Sequence, residues 1–273
     1  MQAAPGDYAA AITAWRAERE AKLKAEYGWL TVVGLHWLKE GANRVGSEPG
    51  VEVPLPASAP KRVGVIRLNK GVARFEPAGA GALYHGKPAA AMNLKPDTVR
   101  DYDTLDVGTI RFFVIQRENR IGVRVKDNQS EARRGFRGLK WYPVDPSWRV
   151  RAKFVPWDKP HTLTFDTEIG TKEPEPSPGY VTFTRAGKEY RLEPVIEEDH
   201  LWFVIRDQTS GKSTYAASRF LYVPMPKDGY VDLDFNKAEN PPCVFTAFAT
   251  CPLPPPQNRL ALPVAAGEMM YAH

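Results

Sequence analysis

Residues 109–126 read TIRFFVIQRENRIGVRVK, and they decide the fold class. Thr109 to Gln116 and Ile121 to Lys126 are runs of branched and aromatic side chains around the polar tetrad Arg117-Glu118-Asn119-Arg120. Two β-prone runs joined by a short polar turn form a hairpin. The same pattern recurs on both sides. Lys61 to Leu68 and Val72 to Phe75 flank Asn69-Lys70-Gly71. Tyr180 to Thr184 and Tyr190 to Pro194 flank Arg185-Ala186-Gly187, and Asp228-Gly229 leads into Tyr230 to Phe235. Leu201 to Arg206 and Ser218 to Val223 enclose a polar loop. Many short strands at close spacing predict a mainly β protein, with antiparallel sheets in a sandwich or barrel-like body.

One segment has a different period. After Asp7, a good N-cap, Tyr8, Ile12, Trp15, Leu23 and Tyr27 fall near helical spacing with charges between them, and Gly28 supplies a stop. This predicts an N-terminal amphipathic helix over 1–28, followed by a β body over 29–235. Residues 236–273, rich in Pro, Cys, Asn and Arg, read as an extended wrap. The stretch Lys172 to Gly179 (KEPEPSPG) reads as an exposed loop or linker, and the chain is taken as a single domain, 1–273.

Composition narrows the classes. Of 273 residues, 43% are hydrophobic and 25% charged, which excludes disorder of the whole chain. The 25 prolines argue against a helical bundle. The net charge of +5 comes from 37 basic and 32 acidic residues that are intermixed, so no nucleic-acid partner is expected. No apolar run reaches the roughly 20 residues of a helical span. The start, Met1-Gln2-Ala3-Ala4-Pro5, resembles a mature N-terminus left after a leader is removed, so a periplasmic or secreted location is expected.

Several motifs fail. Ser210-Gly211-Lys212-Ser213-Thr214 ends like a phosphate loop, but Arg206 stands where the first glycine belongs, and a tight turn is the expectation. The five histidines, His36, His85, His161, His200 and His273, are scattered without metal-ligand spacing. Neither a metal nor another cofactor is expected.

Three polar clusters interrupt the β text. Arg124 to Asn128 places Arg124 and Lys126 on one strand face. Arg206 to Gly211 is followed by Tyr215 and Arg219. Asp232, Asp234 and Asn236 share one face of a predicted strand, although sheets are depleted in Asp and Asn, and Asn240-Pro241-Pro242-Cys243 follows. The candidate ligand-binding residues are therefore Arg124, Asp127, Arg219, Asn236, Asn240 and Arg259. Asp207, Asp234 and Cys243 are the catalytic candidates. Asp207, Arg219, Asp234, Asn236 and Asn240 are expected to converge with Arg124. Cys243 and Cys251, with seven residues between them, are expected close enough to bond in an exported protein.

The string Asp234-Phe235-Asn236, Asn240-Pro241-Pro242-Cys243, Cys251-Pro252-Leu253-Pro254-Pro255, Asn258-Arg259-Leu260 and Ala266-Gly267-Glu268 resembles that of a bacterial and archaeal family, domain-of-unknown-function family 1684. Asp207 to Gly211, Gly28-Trp29-Leu30 and Arg124 to Asp127 fit the same pattern. Glu239 stands where that family has an aromatic, which argues against core packing of this side chain. The resemblance implies no activity; it does imply an export leader, common in the family. Three functions stay open. One is a protein that binds a small polar or anionic molecule in a pocket of Arg and Asp. Another is a hydrolase using Asp207 or Asp234 as base and Arg219 as electrostatic stabiliser. The third is an envelope-associated structural β protein without a ligand. Oligomeric state is open as well.

Overall fold

The hairpin at 109–126 forms as read. In the computed structural model, Ile110–Arg117 and Arg120–Asp127 pair antiparallel in one-to-one register from Ile110 with Asp127 to Arg117 with Arg120. Alternation sends Phe112, Val114, Val123 and Val125 into a core, while Arg111, Phe113, Arg124 and Lys126 point the other way. The turns named from sequence also form. Lys70-Gly71 and Ala186-Gly187 take positive φ at both positions, the geometry that matches strand twist in two-residue hairpins. The structure describes residues 5–79 and 81–271. Residues 1–4, the mature-like start, and His273 lie outside them.

Contacts divide the chain into two compact units. One comprises Leu23–Phe136 with Thr246–Ala249. It has a six-stranded sheet in the order Val32–Trp37, Arg120–Asp127, Ile110–Arg117, Thr104–Val107, Leu83–Tyr84, Lys87–Pro88. Its five-stranded sheet runs Val53–Pro54, Gly41–Gly46, Gly64–Asn69, Val72–Pro77, Met92–Leu94. Both sheets feed one cluster that includes Val45, Ile66, Phe75, Leu105, Ile110 and Phe112, with the Phe75 and Phe112 rings edge to face at 6.0 Å.

The other unit comprises Met1–Lys22, Arg137–Phe245 and Thr250–His273. Its four-stranded sheet runs Lys188–Leu192, Lys172–Arg185, Arg149–Asp166, Tyr230–Asp234, and its three-stranded sheet Val195–Glu197, His200–Ile205, Arg219–Pro224. Leu201, Phe203, Leu221, Phe183 and Phe235 share a core with Leu260, Leu262, Val264 and Ala266 of the C-terminal segment. That segment alternates strictly, with Arg259, Ala261, Pro263 and Ala265 outward. It is tied on by Leu260 N–H to Arg206 O (2.7 Å) and Gln208 N–H to Leu262 O (3.1 Å).

Four expectations are corrected. Lys172 to Gly179 is a strand, paired with the Arg149–Asp166 strand through Leu163 with Glu175 and Thr164 with Pro174. Pro174, Pro176 and Pro178 fall on alternate residues, so their missing N–H groups all face the outer edge, where no ladder needs them. The helix runs Pro5–Lys24, which leaves Asp7 in its first turn and Tyr27 beyond its end at φ 56°. Asn236 is not on a strand: the chain leaves the sheet at Asp234, whose Oδ1 accepts from Asn236 N–H and caps the 3-10 turn Phe235–Lys237. Glu239 is mostly buried, for a reason given below.

Candidate functional site

Ile205 and Arg219 are partners in adjacent strands, so the segments beyond them leave the sheet side by side. Asp207 and Arg219 meet there, each 1% exposed, with Nη2 of Arg219 donating to Asp207 Oδ2 at 2.7 Å. Arg219 also donates to the carbonyl oxygens of Val264 (2.9 Å) and Ala266. Asp207 Oδ1 accepts from Thr209 N–H (2.8 Å), Thr209 Oγ1 (2.6 Å) and Val264 N–H (3.1 Å). Both ions therefore grip the C-terminal segment, and neither meets solvent. A general base must reach a substrate proton; Asp207 is sealed.

A second network joins the N-terminal helix to the Asp234 turn. Tyr8 Oη donates to Asp234 Oδ1 at 2.7 Å. Asn236 Nδ2 donates to Tyr8 Oη (2.9 Å) and Asp145 O (2.8 Å), while its Oδ1 accepts from Asp145 N–H (3.0 Å). Burial and the Asp234 carboxylate push the Tyr8 hydroxyl above its usual range.

The third network is acidic. Arg19 Nε stands 2.9 Å from Glu268 Oε1 and 3.3 Å from Glu239 Oε2. Asn240 N–H donates to Glu268 Oε2 (2.7 Å), Asn240 Nδ2 donates to Met269 O (2.9 Å), and Arg19 Nη2 donates to Asn240 O (2.9 Å). Gly267 allows this turn. Its φ is +79°, and a Cβ would stand 2.4 Å from Ala238 O. One guanidinium thus serves two buried carboxylates. Burial foremost, with Glu268 adding and Arg19 opposing, pushes Glu239 up to about 7. That shared cation is why an acidic side chain packs where an aromatic was expected.

Arg259 is placed differently. It is exposed and lines a groove of about 490 Å³ with Lys188, Glu189, Tyr190, Arg191 and Glu193. Arg191 is held rigidly: Nη2 donates to Glu193 Oε1 at 2.6 Å, and its guanidinium lies 3.8 Å from the Tyr180 ring centre. Asn258 fixes the floor, accepting from Glu193 N–H (2.7 Å) and donating to Glu193 O (2.8 Å).

Arg124 and Asp127 belong to the Leu23–Phe136 unit. Arg124 is buried, its guanidinium 5.3 Å from the Trp29 ring centre. Lys126 Nζ donates to Tyr27 O at 2.5 Å, and burial, then Arg124 and Arg111, push its amine down to about 8. Asp127 Oδ1 accepts from Thr109 Oγ1 (2.8 Å) and Gln129 N–H (2.9 Å). Of the candidates in the other unit, Asp207 with Arg219, Asp234 with Asn236, and Asn240 thus fall in three networks and not in one, while Arg259 and Cys243 stand outside them. Cys243 lies beside Cys251, and its thiol is held far above the ordinary range by that neighbour and by burial, which does not suit a nucleophile. Sequence reasoning missed Tyr8, Arg19, Lys188, Arg191 and Glu193. Only Asn258 and Glu268 carried a signal, as members of the resembling string.

A β unit of antiparallel sheets, closed by a buried polar lock, is the class of protein that fold and site define. Residues 134–269 match the family described as "Protein of unknown function (DUF1684)". The chain is also similar to an uncharacterized protein of Haloarcula marismortui solved by solution NMR: 29% identity, 50% of this chain, 78% of that one, TM-score 0.43. A structure from work on phosphothreonine-dependent FHA domain interactions matches at 19% identity, over 35% of this chain and 96% of that one, with TM-score 0.24. Neither TM-score defines a shared fold. No curated protein matches the chain. Among the described residues, no helix is long and apolar enough to cross a membrane.

Proposed function

We propose that the chain binds a small polar ligand bearing a carboxylate or phosphate, in the groove of Lys188, Arg191 and Arg259. The observation that carries this reading is the contrast within the motif residues. Arg219, Asn236, Asn240 and Asn258 are closed on the chain itself, whereas Arg259 is exposed at a groove whose second arginine is already fixed. A volume of about 490 Å³ lies within the usual range of small-molecule sites. Arginine forks suit carboxylate and phosphate oxygens, and a preordered cation reduces the entropy lost on binding. Tyr190 and Leu260 supply apolar wall.

A thermal-shift titration at low ionic strength, with inorganic phosphate and a set of small carboxylates, tests it. A saturable rise in Tm is expected, lost in Arg259→Ala, whose unliganded Tm stays that of the wild type. The lock favours a second reading, a structural β protein without a ligand. The absence of a saturable shift with every compound would decide for that reading.

A further inference from the structure

The groove leaves out another pair of reactive groups. Cys243 sits in the 3-10 turn Pro242–Val244, and Cys251 in the segment that bonds the end of the Arg149–Asp166 strand through Leu253 N–H to Asp166 O (2.7 Å) and Glu168 N–H to Cys251 O (3.1 Å). Two prolines precede Cys243 and one follows Cys251, which restricts the backbone on both sides. The backbone N–H of Cys243 donates to Cys251 Sγ at 3.2 Å. Such a contact brings one cysteine's main chain against the other's sulfur, so the two thiols start as neighbours. Cys251 is buried and Cys243 partly exposed, so an oxidant can approach from the Cys243 side. Tyr215 stands beside Cys243, its Oη donating to Glu168 Oε1 at 3.2 Å.

We propose that Cys243 and Cys251 are a modification site, closing an intramolecular disulfide when a peroxide is the oxidant. Both S–H bonds and the O–O bond break; one S–S bond and two O–H bonds form. The two thiols lose two electrons and two protons, and hydrogen peroxide is reduced to two waters. The bond closes a short ring whose tip, Thr246–Ala249, belongs to the Leu23–Phe136 unit, where Thr246 Oγ1 donates to Val32 O at 3.1 Å. Closure restricts that tip in the unfolded chain and so stabilises the folded one. The Cys251 neighbour and burial hold the Cys243 proton tightly, so closure is slow at neutral pH.

The test uses the full chain, purified with reductant, then treated with hydrogen peroxide and denatured with an alkylating agent present. Expected are no alkylated cysteines, one cross-linked peptide holding both residues at a mass lower by two hydrogens, and a Tm several degrees higher that reductant restores. Cys251→Ser keeps a hydrogen-bond acceptor at that position, and its Cys243 should end as a sulfenic or higher acid. Two alkylatable thiols after oxidation, a disulfide between two chains, or oxygen gained on Cys243 or Cys251 in the wild type would each overturn the proposal. Phosphate titration of the oxidised and reduced forms reads the groove separately.

Discussion

Arg219 and Arg259 stand in one unit and meet opposite fates. Arg219 is 1% exposed, with its donors on Asp207, Val264 and Ala266, and it fastens the C-terminal segment to the strand ends. Arg259 lies on that same segment, turned outward by the alternation that buries Leu260, and it meets solvent across the groove. Chemistry is identical; environment is not. Nη1 and Nη2 of the buried guanidinium are spent on the chain itself, which removes them from ligand chemistry. An exposed one remains free to exchange water for an anion. Motif membership alone therefore does not mark a ligand residue.

The sharpest way to break the comparison is Arg219→Met. It strands Asp207 as a buried, unpaired carboxylate, and a loss of about 3–5 kcal/mol is expected in urea denaturation. An unchanged midpoint would show that Arg219 is no more a lock than Arg259.

Next in size is the acidic network. Glu239, ordinarily 4.5, is raised to about 7 in the fold. Between those values the native state holds a proton that the unfolded chain lacks, so stability falls as pH rises through the window and is fully present below it. The drop is up to about 3 kcal/mol. Glu239→Gln should flatten this slope, measured by denaturation at pH 4.5, 6 and 7.5; an unaltered slope would remove Glu239 from the account.

Smaller again is Asn258→Ala, which leaves the Glu193 backbone groups unmet. It should cost about 1–3 kcal/mol in the same assay and loosen the groove floor, weakening anion binding as well. The smallest effect on stability belongs to Arg259→Ala, expected within about 0.5 kcal/mol of the wild type. A larger loss would mean that Arg259 is also structural and that the contrast is false.

The hairpins were legible because their signals are local: a polar turn between β-prone runs needs no knowledge of distant residues. The Pro174, Pro176, Pro178 strand was misread because each proline alone signals a loop; only their common parity reveals an edge. The wrap carried a readable signal in Leu260, Leu262, Val264 and Ala266, masked by the prolines around it. Of the site, Asp207 and Arg219 were picked out rightly as residues needing partners, but what they hold, the carbonyls of Val264 and Ala266, lies 45 and 47 positions from Arg219. Sequence pattern carries no such pairing. The division near Leu23 and Phe136 has no linker composition either, since the chain crosses it within ordinary helix and turn text.

Arg19 finds Glu268 across 249 positions, and Tyr8 finds Asp234 across 226. During synthesis the helix is made well before its acidic partners. At roughly 5–20 residues per second, the wait is on the order of tens of seconds. Until then Arg19 and Tyr8 lack these partners, and the contacts already made are those of Trp15 with Trp141 and of Arg16 with Tyr142 O.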